Sequence, residues 1–108
     1  MKKLIASLLF VPCMASAEFM SGNSLHSKMT GDFGDKMQAL GFIQGVFDVY
    51  VSVTFCSPDN VTAGQVSDIV KRHLDNNPST RHKTAESLIN QALKQVWPCA
   101  NNRGGTRL

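Results

Sequence analysis

The chain has 108 residues, 18% of them charged, a formal net charge of +3 and a mean hydropathy of −0.10. That is the length of a single domain, and so mild an excess of base excludes a nucleic-acid polycation. Three cysteines in so short a chain make redox compartment the next question.

Met1, Lys2 and Lys3 open the chain, an apolar stretch runs from Leu4 to about Met14, and Ala15-Ser16-Ala17 follows. A positive start, a short apolar run and a small-x-small site make a secretory signal peptide, too short to span a membrane. The rival is a buried hydrophobic N-terminus. A lipoprotein anchored at Cys13 is disfavoured by Pro12, where a small residue is wanted. Cleavage after Ala17 would leave 108 − 17 = 91 residues, with Lys+Arg falling from 11 to 9 against 8 acids, a net charge of about +1. The expected organisation is a signal peptide over 1–17, a domain over 18–99 and a frayed tail over 100–108.

Cys13 would leave with the signal, so Cys56 and Cys99 remain in an oxidising compartment, where a lone pair usually bridges. Closing a loop of about 44 residues contributes roughly 4 kcal/mol by chain entropy. The rival is a reactive thiol paired with His73 or His82.

Residues 18–33 are rich in Ser, Gly and Asn, and the spacing of Leu25 and Met29 admits a short helix over Asn23–Thr30. The main helix is expected from near Gly34 or Asp35 to about Thr54. Its apolar residues form two stripes, Met37-Leu40-Ile43-Phe47-Tyr50-Val51 and Phe42-Val46-Val49-Val53. So wide an apolar surface predicts a central helix covered by the others. The β-branched cluster Val49, Val51, Val53 and Thr54 also permits a strand, but the helical period already holds from Met37. Gly41 and Gly45 are expected to mark a close contact with another helix. Asp48 continues their stripe and is expected to be a structural carboxylate bonded to amides or a hydroxyl, with partner binding as its alternative.

Ser57-Pro58-Asp59-Asn60 is a turn by composition. Thr62 then caps a helix with Gln65 as capping-box partner, and Val66, Ile69, Val70, His73 and Leu74 share one face. Asn76-Asn77-Pro78 ends it. The last helix runs from about Thr84 to Trp97, with Ala85, Leu88, Ile89, Ala92, Leu93, Val96 and Trp97 on one face, and Pro98 stops it. The fold class is therefore all-α: a small bundle of three main helices plus the short N-terminal one, stapled by one disulfide. Short connections alternate helix direction, so Cys56 and Cys99 should meet where two parallel helices end.

No enzyme motif stands out: there is no G-x-S-x-G, no phosphate-cradling glycine loop and no H-E-x-x-H. His26, His73 and His82 lack metal-ligand spacing, and neither a catalytic residue nor a cofactor is expected. The polar residues suit a binding surface. Candidates are Asn76, Asn77, Ser79, Arg81 and His82, in a turn-rich segment free to protrude at the unstapled end, with Asp59 and Asn60 at the other. Arg81 and His82 could instead fold back on the carbonyls of the preceding helix.

The segments "GFIQGVFD", "FCSPDNVTAGQVSDIVKRHLDNNPSTRH" and "AESLINQALKQVWPC" resemble the Rap/Tai family of type VI secretion immunity proteins. The shared pattern is Gly-aromatic-aliphatic-x-Gly-x-x-Asp, Cys-x-Pro, a Val-Thr-x-Gly-Gln helix start, Asn-Pro, Arg-His, Ala-Leu and Pro-Cys, over about Gly41 to Cys99. "SGNSL" at Ser21 to Leu25 looks like the family's N-terminal segment. Asp48 falls on the pattern's aspartate. The resemblance implies a small helical periplasmic protein, often a homodimer, that performs no chemistry and occludes the cleft of a cognate peptidoglycan amidase effector. The alternative on the same cues is another periplasmic binding protein, an acid-stress chaperone or a phage- or plasmid-type lysozyme inhibitor.

Overall fold

The computed structural model describes residues 19–100. The expected signal peptide and all of the expected tail except Ala100 lie outside the described residues. Four helices follow in order: α1 (Gly22–Met29), α2 (Phe33–Tyr50), α3 (Ala63–Asn76) and α4 (Ala85–Val96), with a single 3₁₀ turn at Pro78–Thr80. Each helix packs against the other three, so the short N-terminal helix is a full member of the bundle.

Local signals explain where the helices start. Ser21 Oγ accepts from Ser24 N, Asp32 Oδ1 from Asp35 N, and Thr84 Oγ1 from Ser87 N. At α3 the capping box closes both ways, Gln65 N to Thr62 Oγ1 at 3.0 Å and Thr62 N to Gln65 Oε1 at 3.3 Å. These contacts satisfy amides that the first helical turn leaves without a partner.

The core is apolar throughout. Leu25 and Met29 come from α1, Ala39, Ile43 and Val46 from α2, Val66, Ile69, Val70 and Leu74 from α3, and Ala85, Leu88, Ile89, Ala92 and Leu93 from α4. The apolar positions read from periodicity are buried in α3 and in α4 through Leu93, but Val96 is exposed because α4 ends there, and Trp97 and His73 are only half-buried.

The end of α2 differs from expectation. The helix stops at Tyr50, not Thr54, and Val51 turns extended (φ −61°, ψ 135°). Ser52 then takes the left-handed region at φ 69°, and Val53 N and Thr54 N both donate to Tyr50 O. β-branched side chains gain little from continuing a helix. Turning early also drives Phe55 into the core, fully buried with its ring 5.3 Å from that of Phe47. Cys56 is thereby delivered to the end of α4.

Cys56 and Cys99 are bonded, their Cα atoms 4.7 Å apart, and Cys56 N donates to Trp97 O. The segment after α2, not α2 itself, reaches this point. Tyr50 Oη donates to Glu86 Oε2, and four residues further on, in the turn after α2, Thr54 Oγ1 donates to Asn90 Oδ1 of α4 at 2.5 Å. The expected disulfide is present, but the two helix ends do not meet: α2 stops opposite Glu86 in the first turn of α4, and residues 51–56 carry the chain on to Cys99.

α2 is not the covered central helix its composition predicts. Only Ala39, Ile43 and Val46 are buried, while Met37, Val49 and Val53 face outward. The buried stripe follows i, i+4, i+7 spacing, and α1, α3 and α4 all pack on it. That leaves Met37, Gly41, Gly45 and Val49 facing outward, with Phe42, Phe47 and Tyr50 half-buried at the margins.

Candidate functional site

The polar candidates divide between the two ends of α3. Asp59 and Asn60 are exposed in the turn before it, with Asn60 in the left-handed region at φ 68°. Asn76, Ser79 and His82 are exposed beyond its far end. The structure does not bring these two groups together.

Two members of the far group have structural employment. Arg81 Nε donates to Leu74 O at 2.8 Å, and Asn77 Nδ2 donates to His73 O at 2.8 Å. Both bonds satisfy carbonyls that the end of α3 leaves open, the fold-back alternative for Arg81. The segment is also clamped from outside. Asn23 N donates to Arg81 O, Gly22 N to Lys83 O, and Ala85 N to Met20 O. It is therefore pinned by residues 20–23, at the start of α1, and does not protrude freely, because backbone groups at residues 81–85 find partners there.

His73 is the one described side chain with a buried ring nitrogen, Nε2, that has no hydrogen-bond partner. Burial lowers its pKa from the usual histidine value, so the ring is neutral near pH 7. With both cysteines in the disulfide, neither serves as a thiol for a histidine base. Among the described residues, no group of three or more His, Cys, Asp or Glu is placed to hold a metal ion.

Asp48 and the two glycines need correction. Asp48 is exposed and has neither hydrogen-bond nor ion-pair partner among the described residues. It is not a carboxylate bonded into the fold. Gly41 and Gly45 are exposed too, and a methyl group on either would meet nothing within 4 Å. They mark no close helix contact within this chain, because the neighbouring helices pack on the opposite, Ala39–Ile43–Val46 side.

What Gly45 does line is a groove of about 660 Å³, shared with Met20, Phe42, Val49, Tyr50 and Glu86. Phe19, 86% exposed, stands at its edge. The Glu86 carboxylate accepts the Tyr50 hydroxyl, and that bond, reinforced by the carboxylate's charge, raises the phenol's pKa. Sequence reasoning found the glycines and the apolar stripe but not this groove. The signal was the second stripe itself, which has more apolar residues than three neighbouring helices can cover.

These features define a small, disulfide-stapled helical module with an open apolar groove along α2. The chain belongs to the Rap1a immunity protein family, whose model matches residues 21–99. No curated protein sequence matches it. The match begins at the Ser21 cap of α1 and ends at Cys99, so it spans all four helices and the staple.

Proposed function

We propose that this immunity protein is exported to the periplasm, loses residues 1–17, and there binds and blocks a peptidoglycan amidase delivered by type VI secretion. It protects its own cell by occluding the amidase cleft and performs no chemistry. The observation that carries this reading is the family match over residues 21–99. Exposed Asn76, Ser79, His82, Asp59 and Asn60 remain candidate contacts, with Asn77 and Arg81 holding the first of these segments in shape. A homodimer accompanies the reading, and sedimentation equilibrium of the processed chain tests it.

The test of function is hydrolysis of purified sacculi by the amidase, with and without the processed chain. Stoichiometric loss of hydrolysis is expected. Undiminished hydrolysis, together with lysozyme inhibition or suppressed aggregation of unrelated proteins at low pH, would replace the amidase reading with one of the periplasmic alternatives.

A further inference from the structure

The outer side of α2 has no cover among the described residues. Val49, 66% exposed, lines the groove whose floor is opened by Gly45 and walled by Phe42 and Tyr50, and Val53, 71% exposed, follows in the turn beyond Tyr50. Exposed valines gain nothing from water, and glycine in a helix interior weakens the helix. No neighbour in the chain uses the room these glycines leave. A body from outside, pressed against α2, accounts for both.

Charge says what kind of body. Asp48, one residue before Val49, is exposed and lines the neighbouring hollow with Gln44 and Val61, and no lysine, arginine or histidine occurs from Met37 to Val70. Among the described residues, the only charged side chain lining the groove is that of Glu86; Lys83, next to Thr84 in sequence, does not line it. A second copy is a poor fit. Two-fold packing sets the same patch of each chain against the other, which would lay an acid-and-apolar face on its own duplicate. A foreign segment carrying apolar side chains and a base matches it.

We infer that this face docks a cationic, apolar segment of the effector, with one of its side chains seated over Gly45 and a lysine or arginine against Glu86. The inference rests on the effector-binding reading above and adds the surface and the chemistry of the segment it receives.

The experiment uses the processed full chain and the amidase that it inhibits. Gly45→Leu fills the groove without a clash, so its melting temperature should equal or exceed wild type. Its affinity for the amidase should fall by roughly thirtyfold or more, as for a centrally placed contact. Glu86→Gln keeps an acceptor for Tyr50 and removes the charge, so binding should weaken by about fivefold and lose part of its salt dependence. Unchanged affinity in both variants would overturn the inference while leaving inhibition intact. A wild-type dimer that Gly45→Leu splits, with amidase affinity retained, would make the occupant a second copy and overturn it equally. A second probe separates this from failure of the functional reading. A short amphipathic leucine–lysine peptide should shift the backbone amide resonances of Gly41, Gly45 and Val49, and a leucine–glutamate counterpart should not. Equal or absent shifts would sink the inference whether or not any amidase is bound.

Discussion

Gly22 and Gly45 are both helical glycines, and they live in opposite surroundings. Gly22 is buried at the start of α1, where a methyl group would come within 2.4 Å of Leu88 Cδ1 and 2.7 Å of Arg81 O. Its amide donates to Lys83 O across that same gap. Gly45 is exposed in the middle of α2, with nothing within 4 Å of the same position. One glycine is there because two segments of backbone must approach closely. The other has no such reason inside the chain. The molecule therefore has a tight side, where residues 20–23 clasp residues 81–85, and an open side along α2.

Substitution at Gly22 should show the larger effect. Gly22→Ala forces a side-chain and a backbone neighbour apart, and overpacking of this kind costs about 2–3 kcal/mol. Leu88 can shift its terminal methyl, but the Arg81 carbonyl is fixed by its bond from Asn23 N. A drop of many degrees in melting temperature is expected. A variant as stable as wild type would show that the clasp gives way, and would erase the contrast between the two sides.

Gly45→Ala should go the other way. With open space around the new methyl group, only helix propensity changes, and alanine is favoured over glycine by about 1 kcal/mol. Chemical denaturation of the two proteins checks the sign. A loss of stability would mean that some group packs on Gly45 after all. Together the two glycine variants separate close approach from exposure, which spacing along the chain does not.

That limit applies to the sequence reading more widely. The helix starts were legible because their caps are local: Thr62 with Gln65, and Thr84 ahead of an apolar period. The staple was legible because only Cys56 and Cys99 remain once Cys13 is set aside, although the route by which residues 51–56 bring Cys56 to Cys99 was not. The stop of α2 at Tyr50 was not, since Val51 and Val53 continue an apolar period whether they lie on a helix or in the turn that follows it. Nor was the exposure of Val49 and Val53, because periodicity reports which residues share a face and not whether another helix covers it. Arg81 illustrates the same point for the candidate site. An exposed turn rich in polar residues looks free to bind, but its groups are committed to Leu74 O and to the N-terminal segment, 7 residues and about 60 residues away in sequence. Only the distant contacts decide.

The smallest expected effect sharpens the tight side electrostatically. His26 Nε2 lies 2.6 Å from Asp75 Oδ1, and Lys71 Nζ lies 2.9 Å from Asp75 Oδ2, so α1 is tied to α3 at its outer edge. The hydrogen bond from His26, then that from Lys71, lowers the Asp75 pKa from its ordinary 3.8. A carboxylate whose pKa is lower folded than unfolded binds fewer protons in the folded state, so its contribution is complete above 3.8 and fades as pH falls through the lowered value. The group is solvent-exposed, so salt screens it and the contribution is small. Asp75→Asn removes the charge at every pH. Wild type should therefore melt slightly above the variant at neutral pH, with the gap narrowing below pH 3.8 and closing in more acid solution. Added salt should shrink the neutral-pH gap as well. A gap that persists unchanged into strong acid would assign the effect to packing of α1 on α3 and remove the charge from the account of how the clasp is held.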